Sequence, residues 1–129
     1  MVIPAELDRL DSVTEFIEAE LENADCPMKV MMQVQLSVEE IYVNIAHYSG
    51  SEQAEIDVEA DGDKRELTIV FKDSGIPFDP LAKEDADTTL SAEERNIGGL
   101  GILLVKKTMN KVSYVYENGQ NCLTVVKNW

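Results

Sequence analysis

Glu40 and Asn44 stand one helical turn apart in "MKVMMQVQLSVEEIYVNIAH" (28–47), a run that is otherwise strongly apolar. With ~100° of rotation per residue, both fall in one narrow polar gap with Ser37 and Gln33 nearby, while Val30, Val34, Val38, Ile41 and Ile45 sweep a wide arc. A helix this apolar is largely buried. Its polar strip therefore faces either water or a lined cavity, because an unpaired buried carboxylate is expensive. One reading is a solvent stripe. The other is a carboxylate that takes up a proton, beside an amide whose carbonyl ligates a hard cation. Mg²⁺ prefers oxygen donors, keeps several waters and leans on substrate phosphates.

Two further stretches have the same double character. "DSGIPFDP" (73–80) leaves a strand-like run as a turn, with Gly75 supplying permissive dihedrals. It also reads as a strand-end carboxylate, Asp73, able to accept a hydrogen bond from an exocyclic amine such as that of adenine. Gly75 would then let a flat ring approach the backbone. "NIGGLGI" (96–102) opens a helix on glycines, and N–H groups at a helix start attract anions. Each signal alone is weak. In combination they are what a pocket for Mg-ATP under a lid would need.

The chain of 129 residues is short enough for one domain, residues 1–129, and 44% hydrophobic composition argues against disorder. A formal charge of −14 disfavours nucleic acid, which needs clustered Lys and Arg, but leaves a nucleotide open if a divalent cation and backbone dipoles screen its phosphates. No run approaches a membrane span and the start lacks a secretory pattern, so a cytoplasmic location with no membrane is expected. Cys26 and Cys122 lie far apart without metal-site spacing and are expected as free thiols.

Apolar spacing at Leu7, Leu10, Val13, Ile17 and Leu21 predicts a helix over 4–23 with Pro4 in its first turn, followed by the helix over 28–47. "AEIDVEA" and "RELTIVFKD" flank "DGD" as a hairpin. Residues 80–97 read as a long loop of the lid kind. A helix follows over 98–110, and "KVSYVYE" and "NCLTVVKN" form a last hairpin around "NGQ". Grouped strands imply an α+β fold, a two-layer α/β sandwich with a mixed, mainly antiparallel sheet and helices on one face.

"VEEIYVN" (38–44), "DSGIPFDP" and "ERNIGGLGILLVKK" (94–107) resemble, in order, the three nucleotide-binding boxes of the histidine kinase-like ATPases. The wording is most similar to the anti-sigma factor serine/threonine kinases of bacterial partner-switching systems. That resemblance covers nearly the whole chain and implies the Bergerat-type ATP-binding sandwich. It implies Glu40 as general base, Asn44 as Mg²⁺ ligand and Asp73 as the adenine-binding aspartate. Gly75 stands beside that aspartate, and Thr124 is near the base on the last strand. Gly99 and Gly101, with Leu100 between them, would face phosphate, and Arg95 would reach the γ-phosphate from the lid. Lys106 and Lys107 follow in the helix, where a solvent-facing pair is one reading and a phosphate contact another. Tyr48 rather than a histidine stands four residues after Asn44, where many relatives carry one. His47, the single histidine, is expected to be packed or at the surface, not a phosphoacceptor.

With Trp129 as its end and no room for a transducer domain or a dimerisation hairpin, the chain is expected to be a stand-alone domain of the anti-sigma kinase kind. The implied activity is phosphoryl transfer from ATP to a Ser or Thr of an anti-sigma-factor antagonist of the STAS type, in regulation of transcription. The implied second partner is a sigma factor, and the family permits a homodimer. The rival reading is a non-catalytic ATP-binding module that sequesters a protein partner.

Overall fold

A computed structural model of the protein describes residues 1–82 and 99–129. The elements run β1 (Val2–Pro4), α1 (Leu10–Asn23), α2 (Met28–Tyr48), β2 (Gln53–Asp61), β3 (Glu66–Asp73), α3 (Gly99–Thr108), β4 (Lys111–Glu117) and β5 (Gln120–Asn128). Single 3-10 turns lie at Leu7–Arg9 and Pro80–Ala82. Beyond Ala82, the expected lid and its Arg95 lie outside the described residues.

Strand order is β1-β2-β3-β5-β4, and every pairing among these strands is antiparallel. Side chains alternate across a strand, so parity decides which layer each residue joins. Ile56, Leu67, Ile69, Phe71, Leu123 and Val125 point inward. They share one core with Val13, Ile17 and Leu21 of α1, Val34, Val38 and Ile41 of α2, and Val105 and Met109 of α3. Because α2 packs against both α1 and α3, it is the middle helix of the layer. The two-layer sandwich is as expected. On the opposite face of the sheet, Lys72 Nζ lies 3.0 Å from Asp57 and 3.3 Å from Glu55. Its hydrogen bond to Asp57, then that to Glu55, holds the ammonium above its ordinary pKa. Among the described residues both cysteines are free and no helix is long and apolar enough to cross a membrane.

The N-terminal helix expected from residue 4 starts later. Pro4 belongs to β1, opposite Gln53 of β2. Strand pairing wins there because the Met1 ammonium donates to the Ile56 carbonyl at 3.0 Å and the Ile56 N–H returns a bond to Met1 at 2.8 Å. Proline, lacking an N–H, is tolerated on such an edge. Leu7 consequently lies exposed in the connecting turn instead of on the helix's core stripe. Downstream, Asp25 takes the left-handed conformation at φ 55°, and the Cys26 N–H reaches back to the Leu21 carbonyl at 3.0 Å. That six-to-one bond closes α1 before Pro27 opens α2. Between β4 and β5, Asn118 and Gly119 both adopt positive φ, 53° and 75°, the two-residue turn that suits strand twist.

Tyr42 ties the N-terminal segment to the helical layer. Fully buried, its hydroxyl donates to the carbonyls of Glu6 at 2.7 Å and Pro4 at 3.0 Å. Burial is the main influence pushing this hydroxyl above its ordinary pKa of 10.0. A raised folded-state pKa means that the stabilisation is complete below pH 10.0 and is lost as pH climbs through the folded value. Tyr42→Phe is therefore expected to cost about 1–3 kcal/mol at neutral pH. Its denaturation midpoint should fall less steeply than the wild type's above pH 10.0. Chemical denaturation across pH measures both.

Candidate functional site

The helical layer and the sheet part near the C-terminal end of α2 and leave a hollow. Its walls come from Asn44, Ile45 and Tyr48 of α2, Asp73 at the end of β3, Ile76 and Phe78 of the following turn, Ile102 of α3, Tyr114 of β4 and Asn121 of β5. Counted to its open mouth it holds about 530 Å³. Among the described residues, Asp73 is its one charged lining side chain. Tyr48, Ile76 and Phe78 are apolar surfaces left exposed at the hollow, which accounts for an Ile and a Phe set among turn residues.

Asp73 is 6% exposed, so its carboxylate needs donors. The Gly75 N–H supplies one at 2.9 Å and Asn121 Nδ2 another at 3.0 Å, both on Oδ1. Among the described residues none donates to Oδ2. The carboxylate is thus fixed by one oxygen and presents the other as an acceptor. Asn121 is held as firmly. Its Nδ2 also donates to the Ile76 carbonyl at 3.0 Å, and its Oδ1 accepts the Phe78 N–H at 3.1 Å and the Tyr114 hydroxyl. Burial pushes the Tyr114 hydroxyl above its ordinary pKa, favouring its role as a donor.

Thr124 does not join this group. Asn121, Leu123 and Val125 have inward parity, so Thr124 faces the opposite side of the sheet, across from Val70 and Ser113. The residue registered opposite Asp73 is Asn121. Alternation with Leu123 and Val125 would have put Asn121 on the inward face from the sequence, while its place opposite Asp73 comes from β3–β5 pairing, remote in sequence. Gly75 is also accounted for differently from the expected ring approach. A Cβ there would sit 2.0 Å from the Ser49 carbonyl oxygen at the end of α2, while the Ile76 N–H donates to that same oxygen at 2.9 Å. The bare glycine lets turn and helix end meet.

Glu40 is half-buried one turn before Asn44 and lies outside the lining. Among the described residues, neither the Glu40 carboxylate nor the Asn44 amide has a side-chain partner. No group of three His, Cys, Asp or Glu that could hold a metal ion occurs among them either; the Asn44 amide oxygen, with water and phosphate oxygens, is the set a divalent cation would use there. That donor set fits Mg²⁺ on a nucleotide. Gly99, Leu100 and Gly101 form the first turn of α3, whose N–H groups have no acceptor within the helix. Ile102, the next residue, lines the hollow, which brings that turn to its border. Lys106 and Lys107 lie in the last turn of α3. His47 is exposed, its ring edge-on to Tyr48.

A family model described as histidine kinase-like ATPase domain matches residues 3–127. The chain belongs to this family. As a histidine kinase-like ATPase domain, it shares its fold with solved structures of low identity. One is a chain of the SiaB–SiaC complex from Pseudomonas aeruginosa, with TM-score 0.61 and 14% identity, covering 98% of this chain and 88% of that one. Another is the Acinetobacter baumannii histidine kinase AdeS, with TM-score 0.54 and 10% identity, covering 99% of this chain and 67% of that one. No curated protein matches.

In this ATPase domain, Asn121→Ala removes one of the two donors to Asp73 among the described residues and the donor to the Ile76 carbonyl. A loss of about 1–3 kcal/mol is expected. Thr124→Val, on the open face, should stay within about 0.5 kcal/mol of wild type. Guanidinium midpoints of the two variants provide the comparison.

Proposed function

We propose that the hollow binds Mg-ATP and that the protein transfers the γ-phosphate to a Ser or Thr of a partner protein, an anti-sigma-factor antagonist of the STAS type. The observation that carries the reading is convergence. Asn44, Asp73 and the start of α3, remote in sequence, border one hollow whose only charge among the described residues is a carboxylate with one oxygen left as an acceptor. Family membership supports ATP as the ligand. The SiaB–SiaC structure is an assembly of two proteins, which supports a protein partner.

Asp73 Oδ2 accepts the exocyclic amine of adenine, while Tyr48, Ile76 and Phe78 cover the ring. Mg²⁺, when bound, neutralises charge developing on the phosphates. Asn44 offers its amide oxygen as ligand, and the N–H groups of residues 99–101 bind phosphate oxygens. Arg95 adds a cation from the lid. Glu40 takes the proton of the incoming hydroxyl as its oxygen bonds to the γ-phosphorus and the bond to the β-phosphate oxygen breaks, releasing ADP. Sigma-factor binding and a homodimer belong to the same proposal.

Because Glu40 lies beside the hollow and not in its wall, a module that binds ATP without transfer is the second reading. Labelled ATP and the STAS-type antagonist separate the two. Transfer predicts label on a Ser or Thr of the antagonist, reduced about 10²–10⁴-fold by Glu40→Gln with ATP affinity retained. Mg-ATP at about 100 times its dissociation constant should stabilise the wild type by about 2.7 kcal/mol, and Asp73→Ala should abolish the shift. Stabilisation without label favours the binding module. No stabilisation rejects the pocket.

A further inference from the structure

Helix α2 carries a second apolar surface that its core packing does not use. Met28, Met32 and Leu36 are 68%, 62% and 53% exposed, on the side away from buried Val34, Val38 and Ile41. Spaced by four, they form one ridge of the helix, and the next two members of that ridge are Glu40 and Asn44. The apolar track therefore runs directly into the carboxylate and the amide beside the hollow. Leu36 is a single turn, about 5.4 Å of rise, from Glu40. A protein that brings a side-chain hydroxyl to Glu40 must cover that turn.

The neighbouring helix defines what can lie there. The α1 and α2 helices meet through the Gln35 amide, whose Nε2 donates to the Thr14 carbonyl at 2.9 Å. Along its solvent side α1 exposes Asp11, Glu15, Glu18 and Glu22, and no basic residue occurs in Leu10–Asn23. An apolar ridge thus runs beside a row of carboxylates.

We propose that the Met28–Met32–Leu36 ridge is the docking track for the partner that presents its hydroxyl to Glu40, and that this partner offers an apolar helix face edged by Lys or Arg. The inference rests on the phosphotransfer reading for its end point at Glu40. Charge complementarity selects this occupant over a second copy of the chain, which would set the same carboxylate row against this one in a protein of net charge −14. Two methionines suit the task, because unbranched thioether side chains adapt to the surface laid on them.

The test uses a synthetic amphipathic helical peptide with one leucine face edged by lysines, added to the intact protein without nucleotide. Methyl resonances of methionine report the contact, with exposed Met28 and Met32 against buried Met31 and Met109 as internal controls. The expected result is saturable shifts at Met28 and Met32, with affinity at least about tenfold above that of a scrambled peptide of equal composition. The exposed double substitution Met32→Gln/Leu36→Gln and the charge variant Glu15→Lys/Glu18→Lys should each weaken binding about tenfold or more, leaving the Mg-ATP thermal shift unchanged. Equal affinity for the scrambled peptide, unaltered affinity in the variants, or shifts confined to other residues overturns the ridge. Sedimentation showing a dimer that the Met32→Gln/Leu36→Gln protein loses, with no peptide binding, assigns the surface to self-association and also overturns it. Absence of phosphotransfer in a protein that binds the peptide on the ridge and Mg-ATP in the hollow rejects the kinase reading alone.

Discussion

A carboxylate buried at the end of a strand is tolerated only where donors compensate for lost water. Asp73 meets that condition with one of its two oxygens. Gly75 and Asn121 both bond Oδ1, and Asn121 is in turn held by the Phe78 N–H, the Ile76 carbonyl and the Tyr114 hydroxyl. Much of the site follows from this arrangement. The turn that places Ile76 and Phe78 is pinned to β5 through the Asn121 amide, and the same turn is pinned to α2 through Ser49. The hollow's floor, one wall and the Asp73 carboxylate are therefore parts of one hydrogen-bonded unit.

The layers explain why that unit sits where it does. Antiparallel registry puts Asp73 between Ala54 and Asn121, at the edge of an inward face whose next two rungs are apolar: Ile56 beside Phe71 and Leu123, Val58 beside Ile69 and Val125. At that last rung the α2 layer no longer covers the sheet completely, and Gly75 permits the turn to close against the helix end. Asp73 and Asn121 thus place a hydrogen-bonded polar pair at the rung that meets the hollow. The middle helix carries Asn44 toward that end and Glu40 one turn behind it. A single helix thus contributes core packing, the Asn44 side chain at the hollow and the Glu40 carboxylate one turn away.

Much of this was legible in the sequence. Periodicity at Val34, Val38 and Ile41 located α2 to within a residue or two and put Glu40 and Asn44 in one polar strip. Alternation in "AEIDVEA" and "ELTIVFKD" gave the central hairpin, and three ordered motifs pointed to the family that the match over residues 3–127 establishes. The differences have local causes. Pro4 reads equally as a helix opener and an edge-strand residue, and only pairing to β2, remote in sequence, decides between them. Thr124 and Asn121 differ by three positions, an odd number, so one of the two must face away from the helices. Gly75 looked like room for a ligand, whereas the space it leaves is filled by Ser49, a contact that no local pattern announces.

The bare oxygen of Asp73 is tested most directly by exchanging the donor proposed to reach it. Mg-ATP and Mg-ITP, compared by calorimetry, differ at the purine six-position, where an amine becomes a carbonyl, and at the adjoining N1, an acceptor in adenine and an N–H in hypoxanthine. A carboxylate with its other oxygen already saturated should bind the amine at least about tenfold more tightly, because the carbonyl leaves a buried acceptor facing another acceptor. Equal affinity for the two nucleotides would contradict a base-binding role for Asp73.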